Sequence, residues 1–376
     1  MCKLLVRLLL LAIVWCPFQA YSTESGLSPK IIGGINSSVN ELPWQAYLNM
    51  TFPDGDGGST FICGGAVISE NVVLTAAHCL RHGETTVEPQ NVKVWAGIIS
   101  LFMANSFNAV SVSEVIIHPS YNSSRLANDI AIIKLASPLP TLAKPILMAD
   151  QITQNRVDNA FANGWVDNAE REANLLVSGW GSADLTNLSL GSLVLQQTLL
   201  SGVPDSICDS PSLWGNNINP DDYPIYLCAG SVSPDKGRDS CFGDSGGPLV
   251  WQDPQAASDS DFGLRLVGLV SFGRDGCAGD LPGVYTEVAH FQEWIQGGVG
   301  ILAQATPIFE LNPFNADYSN AGVDVPVAGS SGSGGSSVSD SSGGIAGWWS
   351  LLGLLIAGYI RRPLLLSKSK VGQDQG

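Results

Sequence analysis

Positive charge is scarce in this chain: its 376 residues hold 18 Lys and Arg against 34 Asp and Glu, a formal net charge of −16. A surface of that sign repels phosphate backbones and anionic lipid headgroups, which excludes a nucleic-acid-binding body. The body is more acidic still, because Lys3, Arg7, Arg361, Arg362, Lys368 and Lys370 lie near the two ends. Histidine is sparse at four residues, and no CxxC or HExxH spacing occurs, so the common zinc frameworks are missing. No short period recurs, which removes collagen and solenoid architectures despite 42 Gly and 21 Pro. With 45% hydrophobic and only 14% charged residues, the chain is too apolar to stay disordered and large enough for one or two compact domains.

Cysteine is present in a pattern. Of eight, Cys2 and Cys16 fall in the hydrophobic N-terminus, leaving an even six, Cys63, Cys79, Cys208, Cys228, Cys241 and Cys277, as expected of an exported, oxidised body. Residues 1–22 carry Lys3 and Arg7, an apolar run from Leu8 to Trp15 and the small-residue pattern Ala20-Tyr21-Ser22. These predict a secretory signal peptide cleaved after Ser22. Bulky Trp15 before Cys16 argues against a lipoprotein.

At the other end, residues 329–344 contain 14 Gly or Ser in 16 positions, the composition of a flexible linker. Ile345 to Ile360 then runs 16 residues without a charge, and Arg361 and Arg362 follow. As a helix this spans about 24 Å, short for a bilayer core of ~30 Å but usable as an anchor. The order Gly343-Gly344, Trp348-Trp349, apolar stretch and basic end resembles the Gly-Gly-CTERM sorting tail of Gram-negative bacteria. That resemblance implies contact with a membrane, type II secretion and a rhombosortase-like processing enzyme as partners. A plain stop-transfer helix and a GPI signal are the alternatives. A GPI signal normally ends in its hydrophobic tail, whereas here residues 361–376 are polar and basic.

Between Ile31 and Tyr285, short apolar runs such as Ala66–Ile68, Val110–Ile117, Ile130–Leu135 and Leu264–Ser271 alternate with Gly, Pro, Asn and Asp clusters. That is the spacing of an all-β barrel or sandwich rather than of βαβ units. Val288, Phe291, Trp294 and Ile295 recur at helical spacing and predict a closing surface helix over 288–296. Residues 300–328, broken by Pro307, Pro313 and Pro326, form either a stalk or a segment packed on the domain.

Three separated motifs carry chemistry: Leu74-Thr75-Ala76-Ala77-His78-Cys79, Asn128-Asp129-Ile130-Ala131 and Gly243-Asp244-Ser245-Gly246-Gly247-Pro248. A serine hydroxyl is a weak nucleophile until an imidazole takes its proton, and the imidazole needs a carboxylate to fix its tautomer and stabilise its cation. His78, Asp129 and Ser245 supply those groups. Together the motifs resemble trypsin/chymotrypsin-type serine proteases from Ile31 to about Gln296. Gly243–Gly247 also fits the nucleophile elbow of α/β-hydrolases, but there the acid and histidine follow the serine, and only His290 follows Ser245.

The resemblance implies two packed six-stranded antiparallel β-barrels with a short C-terminal helix, a junction near 140–150, and a domain over 31–299. It places an oxyanion hole at the N–H groups of Gly243 and Ser245, and a substrate pocket at Asp239, Ser240, Ser271, Gly273 and Gly283. A carboxylate at the pocket base favours Arg or Lys before the cut. Phe272 and Phe242 depart from the residues common at their positions. Residues 23–30 become an activation propeptide: a cut after Lys30 frees the Ile31 amine to pair with Asp244. The implied disulfides are Cys63–Cys79, Cys208–Cys228 and Cys241–Cys277. Acid-free Ile98–Ser113 lacks the ligands of the calcium loop that some relatives carry, so no metal and no cofactor is expected. Asp150–Glu172 is expected to be a solvated, irregular connection, and His82, His118 and His290 to be structural or exposed. Asn36, Asn49, Asn122 and Asn187 are glycosylation sequons only in a eukaryotic secretory pathway. The expected function is an exported, trypsin-like zymogen acting on proteins or peptides, with a protein inhibitor as a further candidate partner. The alternative is a catalytically silent binding module on the same fold, displayed at the cell surface.

Overall fold

The computed structural model describes residues 31–53, 58–182, 191–274, 277–300, 302 and 305–322. The signal peptide, Lys30, Asn187, the Gly/Ser linker, the anchor and the tail expected from the sequence lie outside these residues. Among the described residues no helix is long and apolar enough to cross a membrane.

Six strands close the first barrel: β1 (Gln45–Phe52), β2 (Ser59–Ser69), β3 (Val72–Thr75), β4 (Val92–Ala96), β5 (Val110–Ile117) and β6 (Ala131–Leu135), in the order β1-β2-β3-β6-β5-β4. The second sheet is built from β7 (Leu175–Gly179), β8 (Gln196–Leu200), β9 (Tyr226–Ala229), β10 (Pro248–Gln252), β11 (Leu264–Phe272) and β12 (Gly283–Glu287). Its path runs from Ile35–Asn36 through β8-β7-β10-β11-β12-β9 to Gly202–Val203. Gln196–Leu200 and Gly202–Val203 are one run of chain interrupted at Ser201, so this sheet also comes round on itself. The short pair Leu147–Met148 joins β11 in parallel, an exception to the antiparallel pattern at the connection between the two halves.

Successive strand side chains point to opposite faces, and here both faces are apolar. On β6, Ala131, Ile133 and Leu135 fill the first barrel, whereas Ile132, with Ile130 just before it, enters a cluster that also takes Leu176 of β7 and Val250 of β10. Leu175, Val177, Leu249 and Trp251 face a third cluster inside the second sheet. A one-residue slip of either strand would exchange barrel interior for seam, so the register is fixed by burial on both sides.

The three implied disulfides all form: Cys63–Cys79, Cys208–Cys228 and Cys241–Cys277. The stretch expected to be irregular after Asp150 is instead the helix α1 (Gln151–Gly164). Asp150 caps it by accepting from the Thr153 N–H at 2.7 Å, and Thr153, Gln154, Val157 and Phe161 form its buried stripe. Phe161 lies against Gly202, where any side chain would collide with the ring. A short helix, α2 (Asp205–Cys208), follows. The closing helix begins as one 3-10 turn over Ala289–Phe291 and continues as α3 (Gln292–Val299), three residues beyond the predicted end. Residues 305–322 pack on the domain, with Phe309, Pro313 and Ala321 buried.

Candidate active site

His78 sits on a single 3-10 turn, Ala77–Cys79, immediately after β3, and Cys79 ties that turn to β2 through Cys63. Asp129 precedes β6 and is fully buried. Its carboxylate accepts from the His78 N–H at 2.9 Å, meets His78 Nδ1 at 2.7 Å, and accepts from Ser271 Oγ at 2.6 Å. Thr286 Oγ1 donates to its backbone carbonyl at 2.9 Å. With the ring proton on Nδ1, the imidazole is held in one orientation and Nε2 is left as the base. Burial lowers the pKa of His78, but the charge of Asp129 and its hydrogen bond outweigh this, and the net shift is upward.

Ser245 lies in the turn between Cys241 and β10. Gly243 and Gly246 adopt φ values of +94° and +75°, and a Cβ on Gly246 would meet Thr75 Oγ1 at 2.1 Å, so the turn admits only glycine there. The turn is pinned by Gly64 N–H donating to the Ser245 carbonyl at 2.8 Å and Gly246 N–H donating to the Val270 carbonyl at 2.7 Å. Among the described residues, the N–H groups of Gly243 and Ser245 donate to no protein acceptor. Two backbone donors are therefore left beside the hydroxyl, the arrangement an oxyanion requires. Ser245 and His78 line one cavity of about 280 Å³, but no hydrogen bond joins them here. Such contacts commonly tighten when substrate binds.

Asp239, Ser240, Gly273 and Gly283 line the same cavity. Asp239 is 5% exposed; one carboxylate oxygen accepts from the Ala278 N–H at 2.8 Å, and the other is buried without a partner. Burial pushes this carboxyl up to about 7, against hydrogen bonds from the Ala278 and Ser240 N–H groups that pull it down and with the neighbouring Asp244 adding to the rise. A Cβ on Gly283 would stand 3.1 Å from the unpaired Asp239 oxygen, whereas one on Gly273 would meet nothing within 4 Å. Ser240 Oγ lies 3.3 Å from the hydroxyl of buried Tyr285. Ser271 also lines the cavity, and its hydroxyl donates to Asp129, so its side chain supports the acid while the residue borders the substrate space. Phe242 stands half exposed at the cavity, and Phe272 packs edge-on to Trp214 and Tyr226.

Ile31 is fully buried, and Ile32 pairs with Asp239 through its N–H to the Asp239 carbonyl at 3.0 Å. Asp244 is buried and accepts from the N–H groups of Cys241 at 2.9 Å and Gly181 at 2.8 Å. Burial still pushes its carboxyl up to about 7. Gly181 is required there, since a Cβ would approach the Asp244 carboxylate at 2.6 Å. The contributions of Gly181, Tyr285 and Thr286 were not legible in the sequence, because each acts through a residue distant in the chain. Cys63, His78 and Cys79 bring three ligand-type atoms together, but both sulfurs are in the disulfide and neither is available as a thiolate. His118 and His290 pack on Phe291, and His82 on Phe52 and Phe61.

A family profile described as Trypsin matches residues 31–295. The chain is 31% identical over 286 residues to "CLIP domain-containing serine protease B4" of Anopheles gambiae, covering 73% of this chain and 71% of that one. It is 34% identical over 299 residues to "Trypsin epsilon" of Drosophila erecta, covering 76% of this chain and 95% of the other.

Proposed function

Because the chain belongs to the trypsin family of serine proteases, we propose that it is a secreted endopeptidase, made as a zymogen, that hydrolyses peptide bonds after Arg or Lys. The observation that carries this reading is the buried, half-unpaired carboxylate of Asp239 in the cavity that His78 and Ser245 line. A substrate cation beside that oxygen offsets the desolvation that now pushes the carboxyl up, whereas an apolar side chain leaves it buried and unpaired. Gly273 and Gly283 leave room for a long side chain to reach it.

In the proposed reaction, Ser245 Oγ attacks the carbonyl carbon while His78 Nε2 takes its proton, and the backbone donors of Gly243 and Ser245 hold the oxyanion. The imidazolium, stabilised by Asp129, then protonates the leaving amine. Water, activated by the same imidazole, hydrolyses the acyl-enzyme and restores Ser245. Among the described residues, Asp244 is a buried carboxylate held by the amide donors of Cys241 and Gly181; after cleavage at Lys30 the freed Ile31 amine supplies the cation that keeps it ionised. Export rests on the signal-peptide pattern and on the three disulfides. The tail keeps its sequence reading as a sorting and anchoring signal, with a GPI signal as the eukaryotic alternative.

The test is hydrolysis of matched peptides with Arg, Lys or Phe before the scissile bond, before and after a cut at Lys30, with Ser245→Ala as the blank. Activity on Arg and Lys after the cut, and only then, is the expected outcome. A preference for Phe sinks the role of Asp239, and folded, cleaved protein that matches the blank on every peptide makes this chain a binding module.

A further inference from the structure

The chain does not stop at the closing helix α3. Residues 305–322 run back over the domain as an extended strap. Phe309 anchors it: the ring is buried 4.8 Å from the Trp44 ring, and its N–H donates to the Ser260 carbonyl at 3.0 Å. Ser260 Oγ donates to the Pro307 carbonyl at 2.8 Å, Lys144 Nζ to the Ile308 carbonyl at 2.8 Å, and Asn40 Nδ2 to Glu310 at 3.0 Å. The strap then passes through buried Pro313 and Ala321 and arrives at Gly322.

Gly322 stands at a junction. Its N–H donates to the Gly33 carbonyl at 2.9 Å, and a Cβ on Gly33 would lie 2.5 Å from the Gly322 Cα. On its other side, a Cβ on Gly322, whose φ is +92°, would lie 2.8 Å from the Lys236 Cβ. Gly33 is two residues from Ile31, and Lys236 is three residues from Asp239. The two segments are already joined by the backbone pair between Ile32 and Asp239. One glycine therefore touches both the strand that must hold the freed amine and the loop that carries the pocket carboxylate.

We propose that the strap is a clamp on the activated state: by holding Gly33 and Lys236 together through Gly322, it keeps the freed Ile31 segment seated and the substrate pocket formed. This rests on the zymogen reading above and assigns it a positioning element, Gly322, outside the catalytic cleft. An unseated segment leaves Asp244 without its cation and Asp239 without its backbone partner, so molecules with an intact His78–Asp129–Ser245 set lack a competent pocket. The clamp acts on the fraction of molecules that are competent and leaves the chemical step alone. Among the described residues, the charged or ionisable groups around the seat are Asp239, Asp244, Tyr285, Lys236 and Arg238, with Asp235 and Glu170 facing Arg238 and Arg171 paired to Asp235.

The experiment uses the full chain cut after Lys30, as wild type and as Gly322→Ala and Phe309→Ala, the second releasing the strap at its anchor without touching Gly33. Cyanate modification of the Ile31 amine reports unseating directly, and the alkaline limb of kcat/KM on an Arg peptide reports it through activity, because only the protonated amine pairs with Asp244. Loss of one hydrogen bond changes such an equilibrium about fivefold, so we expect cyanate to react with the variants about fivefold faster. The alkaline midpoint should move down by about 0.7 pH unit, the logarithm of the same factor. Variants that melt lower but keep the wild-type cyanate rate and alkaline midpoint overturn the clamp and leave the strap a mere stabiliser. Wild type that is equally active uncut overturns the zymogen reading and the clamp with it, an outcome recognised without any strap variant.

Discussion

Ser271 donates to the same Asp129 oxygen that meets His78 Nδ1, so it competes with the imidazole for that oxygen's electron density. In Ser271→Ala the carboxylate should bind the imidazolium more tightly, raising the pKa of His78 further and moving the acidic limb of kcat/KM to higher pH. Loss of about 1 kcal/mol of positioning should also lower kcat about fivefold, while KM for Arg peptides stays unchanged. A changed KM with an unmoved limb would instead give the Ser271 side chain a part in substrate binding. At this scale the sequence singled out His78, Asp129 and Ser245 from short motifs, and Asp239 and Asp244 through the family those motifs resemble; the structure sets Asp129 on His78 and places His78, Ser245 and Asp239 around one cavity. It did not show that the Ser271 hydroxyl turns to Asp129, because which way a side chain turns from a strand end depends on a partner 142 residues away.

The helix α1 is where local signals were weakest. Only Val157 and Phe161 give its buried face apolar character; Thr153 and Gln154 complete the stripe, so the 3.6-residue period is faint beside the many polar residues around it. The legible cue was Asp150, which caps the helix by a 2.7 Å bond to the Thr153 N–H. Removing that acceptor in Asp150→Ala should destabilise the protein by about 1 kcal/mol, seen as a lower denaturant midpoint with an unchanged slope, and should leave peptide hydrolysis near pH 7 intact. A midpoint equal to wild type would show that packing of Phe161 on Gly202 alone holds the helix. The strands were better marked, since runs such as Ile130–Leu135 are apolar on both faces. Which face enters a barrel and which enters the seam is decided only by pairing across the sheet.

Over the whole molecule, buried carboxyls bias stability toward acid. Burial pushes Asp239 and Asp244 up to about 7 and Asp205 up to about 6, and it raises Glu287 to about 8 with the charges of Asp158 and Asp205 adding to the rise. In the unfolded chain such groups titrate near ~4. Between pH 4 and 8 the folded state therefore holds more protons than the unfolded one, and stability falls as pH rises through that window. His78 acts in the same direction, since its raised pKa adds stability at low pH that is lost as the ring deprotonates. Uncut Ser245→Ala protein should accordingly melt higher at pH 5 than at pH 8, and the cut protein should show a shallower slope once Asp244 has a cationic partner. A flat or inverted profile for the uncut protein would contradict the burial of these groups. The overall plan of the domain was readable through the family that the motifs resemble; the path of residues 305–322 was not, because its anchors, Phe309 and Gly322, belong to no repeating pattern. That path brings Gly322 beside Gly33, two residues from buried Ile31. Whatever shifts one of these two glycines shifts the other, so the first and last stretches of the domain behave as a single mechanical joint rather than as two independent ends.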